Sequence, residues 1–145
     1  MHLERGSALR RAETADHGTL ATLNRTGVAD LVPACFAIVG QDLAVPIDSV
    51  KPKGSTALGR VRNLERDPRA TLLLEHWDPA DWSGLWWVRL SLRLASLPPA
   101  THDVLVQALR GRYLQYRDAP FTAVLTFRVE QVSGWSASRL GAEPA

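Results

Sequence analysis

Both lysines of this 145-residue chain sit two positions apart, in the stretch DSVKPKGST from Asp48 to Thr56, while every other basic residue among the seventeen Lys and Arg is arginine. The chemistry such a cluster offers is anion binding. Lys51 and Lys53 bring two full charges, Pro52 stiffens the segment between them, and Ser55 and Thr56 add hydroxyl donors. The stretch lies between the end of an expected strand and the start of an expected helix. A helix N-terminus presents unpaired backbone N–H groups and a partial positive charge, a combination that favours phosphate. Each part alone is weak, and a solvated Lys-Pro-Lys turn is the plain alternative. Their coincidence, in a chain that otherwise avoids lysine, favours the phosphate reading.

A second segment, EHWDPADWSGLWW, carries four of the five tryptophans. Some must be core residues, because tryptophan is mostly buried on average. Several so close together can also wall a flat conjugated ligand, with indole N–H groups at its rim. His76 has no second histidine, cysteine or carboxylate at ligand spacing, so metal binding gets little weight. Asp78 and Asp81 read as turn residues and not as an acid–base pair. No nucleophile elbow, P-loop or dinucleotide glycine fingerprint is present. Tyr113, Tyr116 and His76 are the side chains able to give a proton, each with ordinary packing as the alternative, and no catalytic residue is assigned.

These segments need a scaffold. The length suits one domain, residues 1–145, with a substantial core, and 46% hydrophobic with 22% charged residues is a globular composition. The net charge is +2, with arginines dispersed along the chain, so nucleic acid is not an expected partner. No apolar run approaches the roughly 18 residues of a membrane span, and the first residues lack a signal-peptide apolar region, which gives a cytoplasmic expectation. Cys35 is the single cysteine. It falls in LVPACFAIV, read as a buried strand with a core thiol.

Residues 2–15 hold an amphipathic helix. TLATLN and LVPACFAIV read as strands around the RTG turn, and Gly40–Asp42 turns the chain into LAVPID, giving a three-stranded meander. Leu58, Val61 and Leu64 recur at helical spacing, with Ser55 or Thr56 as cap and Asp67-Pro68 as the stop. ATLLLE is a buried strand. In WVRLSLRLA, Trp86, Val88, Leu90, Leu92 and Leu94 share one face. PPATHDVLVQALRGRY is a helix with Thr101 as its cap, and FTAVLTFRVEQV alternates as a last strand. About six strands and two or three helices result, a mainly β chain suggesting a small barrel.

TLATLNRTGVADLVPACFAI, DSVKPKGSTALGRVRNLERDPRATLLLEHW, DWSGLWWVR and RYLQYRD…GWSAS together resemble the deazaflavin-dependent branch of the pyridoxamine-phosphate-oxidase-like split β-barrels, from about Thr19 to Ser138. The resemblance implies a homodimeric split barrel with two cofactor sites at the subunit interface. It implies coenzyme F420, a deazaflavin with a phosphodiester and an oligoglutamate tail. Carried over by position, Lys51, Lys53, Ser55 and Thr56 hold the phosphate, and Asp48 and Ser49 lie near the ring or linker. Val32 and Pro33 back the ring, and Trp86 lines the interface. The sequence departs from the family pattern after Arg89, where LSLRL replaces a glycine-containing turn. The implied activity is hydride transfer between the deazaflavin and a conjugated small molecule. Two alternatives stay open: an FMN-dependent enzyme of the same fold, and a non-catalytic protein that carries a cofactor or tetrapyrrole.

Overall fold

Seven strands form one antiparallel sheet that its own connectivity forces to curl. The computed structural model describes residues 1–48, 55–117 and 121–138. The strands are β1 (Gly18–Leu23), β2 (Ala29–Ala34), β3 (Ala37–Val39), β4 (Asp42–Asp48), β5 (Arg69–Asp78), β6 (Asp81–Leu94) and β7 (Phe121–Ser136). The helices are α1 (Arg5–Thr14), α2 (Ser55–Arg66) and α3 (Pro99–Arg112). The strand order is β2-β1-β5-β6-β7-β4-β3, which puts β2 and β3 at opposite edges. Only Cys35 and Phe36 separate them in sequence. Three peptide steps reach no further than about 11 Å, so the edges must meet and the sheet closes on itself as a split barrel.

This corrects the expected meander. LVPACFAIV is two strands, not one: β2 pairs with β1, from Gly18↔Ala34 to Leu23↔Ala29, whereas β3 pairs with β4. Cys35 lies in the half-buried link between them and not in a buried strand. The last β3–β4 pair is Ala37↔Ala44. A straight continuation would set Pro33 opposite Asp48, but β2 swings away to β1. The end of β4, Val45 to Asp48, is laddered to β7 alone, and a seam opens between β2 and β4. Pro33 and Pro46 both fall along it, at positions where a strand tolerates a missing N–H.

Alternation places the core. Leu20, Leu72, Leu74, Val88, Leu90, Leu92 and Phe127 are buried inside the barrel. Strand β6 runs through LSLRL without a break, paired with β5 on one side and β7 on the other. On β7 the register slips at Ser91/Leu92 so that Glu130 is passed over; this bulge moves the inward set from Phe127 and Val129 to Val132, Gly134 and Ser136. Strand β4 is apolar on both faces. Leu43 and Val45 point into the barrel, and Ala44, with Ala37 of β3, packs under Leu105 and Leu109 of α3. The two alanines let the helix approach closely. Helix α3 starts at Pro99, before the expected cap Thr101, because a proline at the first turn is already set to helical φ.

Helix α2 ends at Arg66, before Asp67-Pro68, and its buried Asn63 fixes it to the β1–β2 hairpin. The Asn63 amide donates to Thr22 Oγ1 at 3.0 Å and to Asp30 Oδ2 at 2.9 Å, and its oxygen accepts from Arg66 at 2.7 Å. Hydrogen bonds from Asn63, then Asn24, hold the Asp30 carboxyl below its usual range.

The closing link is pinned from α3. The Tyr113 hydroxyl accepts from the Phe36 backbone N–H at 3.1 Å and lies 2.8 Å from Asp16 O, to which it donates. The Arg112 guanidinium lies 4.6 Å from the centre of the Phe36 ring and donates to the Ala15 carbonyl. Tyr113→Phe takes the acceptor from the Phe36 N–H and is expected to cost about 1–3 kcal/mol in urea denaturation at pH 7. Burial pushes the Tyr113 pKa up. A folded value above the unfolded one, near 10, gives stability that is complete below that pH and lost as pH rises through the folded value. The gap between wild type and variant should therefore narrow in alkali.

Candidate functional site

Of the sequence-predicted site residues that the structure describes, Val32, Pro33 and Asp48 fall on the two lips of the seam, Trp86 at the nearby barrel rim, and Ser55 and Thr56 at the start of α2. Val32, half-buried, packs against the core opposite Leu20, and Pro33 is exposed opposite Thr19, on the β2 lip. Asp48 ends β4 on the other lip, paired with Phe121. Ser55 and Thr56 begin α2, whose first turn contains no acidic residue to oppose an anion. Ser49, Lys51 and Lys53 lie outside the described residues. The structure therefore brings Val32, Pro33 and Asp48 to one seam, and puts a helix N-terminus directly after the lysine segment in the chain.

Trp86 belongs to the core, 8% exposed, and it also walls a cavity of about 430 Å3 at the rim. The cavity is bounded by Thr14, Ala15, Asp16 and His17 leading out of α1, Gly18 and Thr19 of β1, Leu73, Glu75 and His76 of β5, and Trp86 of β6. Strand β1 approaches β5 so closely here that a Cβ on Gly18 would lie 2.9 Å from the Leu73 carbonyl oxygen and closer still to Leu74. Only glycine fits. The row Pro33–Thr19–Leu73 crosses the outside of the sheet, linking the β2 lip to the cavity.

His76 is the cross-strand partner of Trp86, and their rings lie 6.5 Å apart, tilted by 27°. Of the three side chains considered as proton donors, only His76 faces this cavity. The Tyr113 hydroxyl is engaged by the backbone of Phe36 and Asp16, and Tyr116 is buried against Tyr113 in the turn after α3. The tryptophans divide. Trp77 and Trp82 are exposed at the hairpin tip in an edge-to-face pair, whereas Trp87 is half-buried beneath Arg89. Asp78 and Asp81 are turn residues: their carboxylates accept from the backbone N–H groups of Ala80 and Ser83 at 2.9 and 3.0 Å. Among the described residues no three His, Cys, Asp or Glu gather as metal ligands, and no helix is long and apolar enough to cross a membrane.

No family model and no curated protein matches the sequence. Solved structures do match the fold. A FAD-binding protein from Mesorhizobium loti superposes with a TM-score of 0.67 at 18% identity, covering 92% of this chain and 93% of that one. An FMN-binding protein from Syntrophomonas wolfei gives 0.63 at 15% identity, covering 89% and 82%. An F420 reductase gives 0.53 at 18% identity, covering 83% and 90%. A haem-binding protein from Mycobacterium smegmatis and a haem storage protein from Vibrio cholerae share the architecture as well. The chain thus has the split β-barrel fold of these FAD-, FMN- and haem-binding structures.

Proposed function

We propose that this protein is a homodimeric oxidoreductase that uses coenzyme F420, with the phosphate end of the cofactor at the start of α2 and the ring end toward Trp86. The observation that supports this most is a coincidence of place. The lysine segment runs from one lip of the seam into a helix N-terminus free of acidic residues, and an aromatic-walled cavity sits at the barrel rim linked to the other lip. A phosphodiester suits the first, and a flat conjugated substrate beside the cofactor ring suits the second. When bound, the deazaflavin supplies the hydride chemistry, and the chain supplies position, charge and exclusion of water. Lys51 and Lys53 bind the phosphate with Ser55 and Thr56. Asp48 and Ser49 border the linker, Val32 and Pro33 back the ring, and Trp86 lines the interface at the rim where ring and substrate meet. His76 is placed to give a proton at its exposed imidazole.

The second copy covers the outer sheet face. Helix α3 covers β3 and β4, but among the described residues no helix lies over the outside of β2, β1 and β5. It exposes Leu31 at 63% and Leu73 at 37%, beside a shallow groove of about 400 Å3. Contiguous exposed apolar surface of this kind marks an interface.

Titration of the purified protein with F420 and with FMN tests the reading. F420 should bind more tightly, and protein from a host without deazaflavin should be colourless. A stoichiometric flavin that survives dialysis moves the assignment to FMN, and a bound tetrapyrrole without hydride transfer moves it to a carrier. Light scattering should give a dimer at micromolar concentration, and Leu31→Asp should shift it toward monomer; a clean wild-type monomer refutes the interface.

A further inference from the structure

The rim cavity differs in charge from the rest of the molecule. The chain has seventeen lysines and arginines and fifteen acidic residues, yet the cavity lining contains Asp16 and Glu75 beside His17 and His76, and neither lysine nor arginine. Neither carboxylate takes part in an ion pair among the described residues. The nearby arginines do not line it: Arg112 lies over Phe36 and binds the carbonyl of Ala15 at the cavity's edge, and Arg89 lies over the Trp87 ring. The phosphate of the cofactor calls for the opposite sign, so this end of the site is built for a different ligand.

Two further features describe that ligand. A volume of about 430 Å3 falls in the range of small-molecule pockets and admits a molecule of two or three fused rings. The near-parallel Trp86 and His76 rings form a flat wall, and the face of an indole attracts a cation. We infer that the cavity bounded by Trp86, His76, Glu75 and Asp16 is the substrate subsite and that it selects planar, cationic nitrogen heteroaromatics over anionic ones. This deepens the functional reading above and rests on it.

The test is binding to the apo full-length protein, which needs no cofactor. Proflavine serves as a planar cation and anthraquinone-2-sulfonate as a planar anion of similar size, each followed by tryptophan quenching and calorimetry. Proflavine should bind at least about tenfold more tightly. Glu75→Gln should weaken proflavine several-fold without weakening the sulfonate, whereas Glu65→Gln, an exposed change of equal charge on α2, should leave the ratio unaltered. His76→Ala should weaken both probes. Equal or tighter binding of the sulfonate overturns the inference. So does an equal loss in Glu75→Gln and Glu65→Gln, which would show only the general field of the protein. A separate F420 titration isolates the cofactor assignment: charge selectivity without F420 binding would refute that assignment alone, and F420 binding without charge selectivity would refute the subsite alone.

Discussion

Phe36→Ala is expected to cost about 3–5 kcal/mol of folding stability, the range for truncating a buried phenylalanine. Phe36 is 0% exposed and lies in the two-residue link between the edges of the sheet. Its ring carries the Arg112 guanidinium at 4.6 Å, and its backbone holds the Tyr113 hydroxyl. Truncation leaves a cavity between barrel and α3 and deprives Arg112 of its aromatic face. A domain of this size has about 5–15 kcal/mol in total, so the variant should be partly unfolded at 37 °C. Phe36→Leu keeps most of the volume and should lose roughly half as much or less, by comparison with other near-isosteric core swaps. Urea denaturation midpoints of the two variants decide the matter. A loss below about 1 kcal/mol for Phe36→Ala would mean that the barrel is not closed at this link.

That link is also where the sequence was least legible. Apolar residues run through LVPACFAIV without a glycine, and Pro33, the one local irregularity, marks an edge strand without showing that Leu31–Ala34 and Ala37–Val39 face different partners. The break comes from long-range pairing, β2 with β1 and β3 with β4. Elsewhere local signals sufficed. The alternation of Trp86, Val88, Leu90 and Leu92 is the inward face of β6, and Asp67-Pro68 stops α2. The Trp86–His76 pair was hidden by a bulge. A plain two-residue hairpin closing at Asp78↔Asp81 would set His76 opposite Ser83, and the register shift moves it to Trp86. The cavity itself was invisible for a similar reason. Its walls come from the end of α1 and from β1, β5 and β6, which only the curled sheet brings together. The lysine segment stands out in the sequence by rarity and order, not by tertiary contact, and its role rests on the binding test below.

The lysine pair gives the largest expected effect on function. If Lys51 and Lys53 hold a phosphate at the N-terminus of α2, each supplies a charge-assisted hydrogen bond of about 1.5–3 kcal/mol. The double replacement Lys51→Ala, Lys53→Ala should then weaken F420 binding by at least about tenfold, since ~1.4 kcal/mol is one decade. The loss should fall on the phosphate end alone. Proflavine, which tests the rim cavity, should bind the double variant as it binds the wild type. Folding should change little, because lysines in a connecting segment form at most weak ion pairs. Wild-type affinity should fall as salt rises, by screening over a Debye length of about 8–10 Å, and the double variant should show a shallower salt dependence because two of the responsible charges are gone. Removing positive charge anywhere weakens an anion somewhat, so Arg25→Ala with Arg62→Ala, both exposed, is the matched control and should cost several-fold less than the lysine pair. Fluorescence titration with F420, with denaturation curves to establish intact folding, measures all of this. An unchanged F420 affinity in the folded double-lysine variant would place the phosphate elsewhere and leave KPKGST as an ordinary solvated turn.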